Sequence, residues 1–215
     1  MRLLAACFIL TVFGVFYANA EDFWFEAEEY DEEKSNLAFN EQGLNAAWDI
    51  KQDKDAFNKQ YMINRGANRD VVESAAGLVY IIPDVGKETG WQLWLRCIMA
   101  TTGSDSFFWQ LSQDGGEKWG APTAAHGGVV WEEWEWHRWA IGNLQKGEDN
   151  ALRIGERENN FKLDVVCLRN DGQTPNDDEY EDYVKNKPFL RFAIHAGGKL
   201  ADTWGRVKSG AEVEH

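Results

Sequence analysis

The sequence predicts an all-β sandwich, and three observations carry that expectation. Apolar and polar residues alternate over short segments, the segments are separated by Gly, Asp, Asn and Pro clusters, and several carry aromatic residues on both faces. The alternating segments are DFWFEAEE, GLVYIIP, WQLWLRCIM, SFFWQLS, WEWHRWAI, ALRIGERE and KLDVVCLR. Between them stand breaks such as DVGKETG, DGGEKWGAP and NDGQTP.

Read from its start, the chain opens MRLLAACFILTVFGVFYANA, with one basic residue, an apolar run from Leu3 to Tyr17, and then Ala18-Asn19-Ala20. That order is the grammar of a secretory signal with cleavage after Ala20. The run is shorter than the ~20 residues that span a bilayer, and acidic sequence follows it. Leu4-Ala5-Ala6-Cys7 has the spelling of a lipoprotein signal but sits too close to Met1 to leave a hydrophobic segment before the cysteine. Residues 1–20 are therefore expected to be a signal peptide, and the protein to be exported: secreted, periplasmic or on the cell surface.

Losing residues 1–20 removes Arg2 and no acid, which moves the net charge from −14 to −15. Nucleic acid is excluded as a partner, because phosphate neutralisation needs clustered Lys and Arg. Anionic membrane surfaces are disfavoured for the same reason, and neutral sugars, cations and basic partners remain.

Parity places the core. In the third segment Trp91, Leu93, Leu95, Cys97 and Met99 share one face, and in the fourth Phe107, Trp109 and Leu111 do. The stretch WEEWEWHRW holds four of the eleven tryptophans. Alternation sets Trp134, Trp136 and Arg138 on one face and Glu135, His137, Trp139 and Ile141 on the other, with Trp131 ahead of the strand in a loop containing Gly127 and Gly128. Both faces cannot be core in a two-layer sandwich, so part of this set is expected at the surface, where a flat indole can stack on a sugar ring.

Cys97 and Cys167 lie in apolar alternating stretches, which suits either a bridge between facing strands or two buried thiols. Their spacing gives no zinc pattern. His126, His137, His195 and His215 have no metal-ligand spacing, and there is no nucleophile-elbow motif. Nothing singles out a catalytic pair of carboxylates, so the chain is expected not to be an enzyme. Residues 21–175 are expected to form the module, and residues 176–215 an appendage. Within the appendage NDDEYEDYVKNK reads as an acidic short helix or loop, PFLRFAIHAGG as one more strand, and the remainder as a polar tail around Trp204.

Three stretches, FWFEAEEYD, YIIPDVGKETGWQLWLRCIMATTGSDSFFWQLSQDGGEKW and NLQKGEDNALRIGERENNFKLDVVCLRNDGQTP, resemble in that order the modules of carbohydrate-binding families 6 and 35. These belong to the galactose-binding-like β-sandwich group, and the match covers about residues 23–175. The resemblance implies a jelly roll of two antiparallel sheets and a carbohydrate partner. It also implies a structural Ca²⁺ ion held by Glu26, Glu28 and Asp164. Glu26 and Glu28 agree in kind, since they share a strand face where like charges need a cation or solvent. The implied sugar cleft would use Trp119, Trp131 or Trp134, with Asn159 or Asn160. The loop GAPTAAHGGVVWEEWEWHRW departs from the family pattern. The alternative is a secreted structural or interaction domain that keeps the sandwich and lacks the cleft.

Overall fold

A computed structural model describes residues 21–37, 48–65, 77–101, 103, 105–126 and 131–186. The expected signal peptide, the Gly127-Gly128 pair and residues 187–215 lie outside the described residues. Among the described residues ten strands form two antiparallel sheets, as the sequence predicts, and one α-helix follows them.

Sheet A contains β1 (Asp22–Glu26), β2 (Trp48–Gln52), β3 (Gln60–Asn64), β5 (Gln92–Met99), β8 (Trp131–Ala140) and β10 (Lys162–Arg169). Its order is β2-β3-β10-β5-β8, with β1 paired to the later half of β10. Sheet B contains β4 (Gly77–Ile82), β6 (Ser106–Ser112), β7 (Thr123–His126) and β9 (Asn150–Glu156), in the order β4-β9-β6-β7. All seven alternating segments are strands, and the sequence pattern missed β2, β3 and β7.

The parity expected for β5 and β6 holds. Leu93, Leu95, Cys97 and Met99 face the space between the sheets, where they meet Leu78, Tyr80, Leu152, Leu163 and Val166. Phe107 lies flat on Phe161 at 5.0 Å and meets Trp139 edge-on at 4.9 Å. Tyr80 on sheet B donates its hydroxyl proton to the Ala27 carbonyl at 2.8 Å, which satisfies a polar atom inside the core and ties the sheets together.

The outer face of sheet A is also apolar. Trp24, Trp94, Val165 and Cys167 are buried there, although they point away from the core between the sheets. Helix α1 (Asp177–Asn186) covers them with Tyr180, Tyr183 and Val184. Within the acidic stretch, then, lies a helix that forms a third layer. It opens with Asp177, Asp178 and Glu179 in its first turn, where carboxylates oppose the partial positive charge of the helix start. The Asn176 side chain accepts the Glu179 N–H at 3.0 Å, as a cap does.

The cysteines settle as two buried free thiols. Cys97 belongs to the core between the sheets and Cys167 to the layer beneath α1, so they lie on opposite faces of one sheet, and of the two alternatives it is the pair of buried thiols that the structure shows. Replacing Phe107, which is fully buried and sandwiched by two rings, with Ala is expected to destabilise the fold by ~3–5 kcal/mol. Chemical denaturation of the two proteins checks this, and a loss under about 1 kcal/mol would contradict the packing described.

Candidate functional site

Asp164 owes its position to a β-bulge. Leu163 pairs with Cys97 and Val165 with Arg96, so Asp164 is the extra residue in β10. The bulge turns its carboxylate toward the outer face, where Arg96 Nη1 donates to Oδ2 at 2.5 Å and the Phe57 N–H donates at 3.2 Å. Burial pushes the Asp164 carboxyl up to about 7, against the pull of Arg96 and the Phe57 N–H. Arg96 Nε and Nη2 donate to the two carboxylate oxygens of Asp177 at 3.2 and 3.1 Å, a bidentate arrangement, and its Nη1 also reaches the Asp55 carbonyl at 3.3 Å.

Glu26 and Glu28 are buried beside this group. Tyr180 donates its hydroxyl proton to Glu26 Oε1 at 2.7 Å, and Asn58 Nδ2 donates to Glu28 Oε1 at 3.1 Å. Glu28 Oε2 has no hydrogen-bond partner. Desolvation, with a smaller push from Glu26, raises the Glu28 carboxyl to about 8. The three residues expected to hold calcium thus lie in one region, but a protein cation already stands against Asp164 and a tyrosine hydroxyl against Glu26. Among the described residues no three His, Cys, Asp or Glu side chains are disposed to hold a metal ion. This donor set does not fit calcium.

The expected sugar-binding residues do not converge. Trp119 lies on the outer face of sheet B, with the Arg153 guanidinium 4.0 Å from its ring, and walls a cleft of about 430 Å³ with Leu111, Gln113 and Lys118. Trp134 lies on the outer face of sheet A, edge-on to Tyr61 at 5.4 Å. Asn159 and Asn160 form the β9–β10 turn. Asn160 takes the left-handed conformation there at φ 64°, which asparagine tolerates, and its N–H donates to the Asn64 carbonyl at 2.7 Å.

Trp131 is a correction. It is the first residue of β8 and not part of a preceding loop. Between Trp131 and Glu135 β8 carries two more residues than the facing span of β5, where Met99 pairs with Trp131 and Cys97 with Glu135. An even insertion preserves parity, so Trp131 shares the inner face with His137 and Trp139. Its ring stacks on His137 at 3.4 Å and 13°, and burial drives the imidazole down to about 4. Trp131 is half-buried against the core and cannot serve as a free platform.

One concavity missed by sequence reasoning lies beside α1. Asp53, Asp55, Arg96, Ile98, Glu132, Glu133 and Trp134 line a cleft of about 410 Å³ on the outer face of sheet A. It joins the β2–β3 connection to the start of β8, which only the sheet pairing reveals. Since Arg96 is held by Asp164 and Asp177, the cleft presents hydrogen-bond acceptors around one indole.

No protein-family model matches the sequence, and no curated protein matches it. Solved structures similar to this chain include carbohydrate-binding modules. The C-terminal CBM6 of LamC, a marine laminarinase from Zobellia galactanivorans, is 10% identical with a TM-score of 0.44, over 69% of this chain and 98% of that one. A family 35 carbohydrate-binding module from Clostridium thermocellum is 13% identical with a TM-score of 0.44, over 68% and 97%. A carbohydrate-binding module of Cellvibrio mixtus lichenase 5A, solved with cellotriose, is 14% identical with a TM-score of 0.41, over 68% and 95%.

The carboxyl of Glu28 makes stability depend on pH with a definite sign. Its folded value of about 8 lies above the ordinary 4.5, so its contribution is complete below about pH 4.5 and is lost as pH rises through 8. Glu28→Gln removes that loss. The variant's melting temperature relative to the parent should therefore climb between about pH 6 and pH 9. A difference that stays flat over that range in paired thermal melts would show that Glu28 is not held neutral.

Proposed function

We propose that the protein is an exported, non-catalytic carbohydrate-binding module whose ligand occupies the Trp134 cleft. The observation that carries this reading is the composition of that concavity: the half-buried Trp134 ring walls a cleft rimmed by Asp53, Asp55, Glu132 and Glu133. An indole face stacks on the C–H face of a pyranose, and carboxylates accept hydrogen bonds from sugar hydroxyls. Arg96, Ile98, Glu132, Glu133 and Trp134 of the lining stand on paired strands of sheet A, whose order keeps the entropic cost of binding low. Export rests on the signal pattern in residues 1–20, and among the described residues no helix is long and apolar enough to cross a membrane.

Charge selects among sugars. Four carboxylates line the cleft, of which Asp55 is paired with Lys54, while its one arginine is already bonded to two others, so a uronic acid would meet an excess of negative charge. Neutral glycans fit the site. The alternative, an interaction domain, calls for a broad exposed apolar patch. Among the described residues Ile50, 48% exposed, is the one large hydrophobic side chain that is exposed, which favours the sugar reading.

A glycan array followed by calorimetry on the best neutral ligand tests the reading. Trp134→Ala should weaken binding at least about fivefold, the loss of ~1 kcal/mol of ring stacking, while Trp119→Ala on the other face should leave it unchanged. A thermal melt of each variant separates lost binding from lost fold. Binding by Trp134→Ala equal to that of the parent would overturn the assignment of the cleft, and no glycan bound at all would favour the interaction domain.

A further inference from the structure

We propose that Arg96 and helix α1 together replace the calcium ion that the sequence resemblance assigns to Glu26, Glu28 and Asp164, so that this sandwich is closed by a guanidinium and a helix of its own chain. A structural cation at such a place has two tasks: it neutralises carboxylates that folding buries, and it joins segments distant in sequence. Both tasks are performed here by side chains.

Neutralisation falls to Arg96. Its side chain is 7% exposed and that of Asp164 is 1% exposed, so the pair is out of water, where an unmatched carboxylate is costly. One face of the guanidinium lies over the Phe57 ring, with 4.4 Å from the central carbon to the ring centre, and its edges are taken by Asp164, the Asp55 carbonyl and both oxygens of Asp177. A metal ion taking Asp164 as ligand would have to displace this planar cation, four of whose five N–H donors are bonded, and would take its bidentate partner from Asp177.

Joining falls to α1. Asp177 and Tyr180 are three apart and therefore share a face of the helix. Asp177 meets Arg96 on β5, and its Oδ1 also accepts the Trp136 indole N–H from β8 at 2.8 Å. Tyr180 meets Glu26 on β1 at 2.7 Å, and Glu179 meets Arg169 on β10 at 2.9 Å. Ten residues of helix thus bond to four neighbouring strands of sheet A, including the first and last strands that the metal would join.

The test uses the full chain. Melting temperature is measured in chelator, in buffer and in millimolar calcium, and the three should agree within about 1 °C. Asp177→Asn, at an exposed helix start, and Tyr180→Phe, which keeps the packed ring and removes only the hydroxyl, should each lower the melting temperature by about 3 °C or more. Amide exchange across Tyr180 to Val184 should quicken at least about tenfold in both, which a defect elsewhere in the fold would not single out. Calcium raising the parent's melting temperature by about 3 °C or more, or both variants melting and exchanging as the parent does, would overturn the proposal.

Discussion

Two carboxylates from separate parts of the chain, Asp164 on β10 and Asp177 at the start of α1, meet one guanidinium, that of Arg96 in β5. Burying the Arg96 and Asp164 charges, with the half-exposed Asp177 at their edge, is tolerable only when each has its partners, because desolvation costs several kcal/mol per ion before attraction returns any of it. That condition constrains the surroundings. The bulge at Asp164 must form so that the carboxylate faces outward, the β2–β3 connection must pass beneath the guanidinium to offer Phe57 and the Asp55 carbonyl, and α1 must dock with Asp177 at its first turn. A helix sliding along sheet A by one turn would lose all of these partners at once.

The two-sided aromatic strands find their explanation in the same helix. Alternation correctly split the tryptophans of β8 between faces, and it correctly required that a two-layer sandwich leave one face uncovered. The molecule has three layers. Trp136 meets Trp24 edge-on at 5.5 Å beneath α1, while Trp139 packs on Phe107 between the sheets. None of the ten tryptophans among the described residues is in the exposed class. The abundance of tryptophan therefore reports two stacked apolar layers first, with Trp134 and Trp119 left to wall clefts on the outer faces.

What was legible in the sequence was whatever local pattern encodes. Seven strands were, because each is an apolar-rich run of five or more residues bounded by turn residues. The strand TAAH was not, because four small or polar residues carry no periodic signal, and QYMIN was not, because it offers only three apolar residues, run together without alternation. The bulge at Asp164 leaves no readable mark in KLDVVCLR, where four apolar residues in a row from Val165 to Leu168 fit either face. Trp131 was misplaced because adjacent glycines look like the end of a loop. Only the pairing with β5 shows that β8 starts there with two extra residues. The acidic stretch of α1 hid its role for a related reason: Tyr180 and Tyr183 supply its buried stripe, and three acids in its first turn mask it.

A sandwich by itself leaves function open, because the same two sheets serve many ends. The outer face of sheet A narrows it. Helix α1 covers the part of that face over β1, β10 and β5, and the part left open, between the β2–β3 connection and the start of β8, is where the Trp134 cleft lies. Arg96 borders both regions, yet four of its five guanidinium N–H donors are committed to the helix, the bulge or a backbone carbonyl. The group that fixes the helix thereby has little left to donate in the cleft. A ligand there must bring its own hydrogen-bond donors and an apolar face for one indole, and a neutral sugar ring supplies both, with hydroxyls at its edge and C–H bonds on its face.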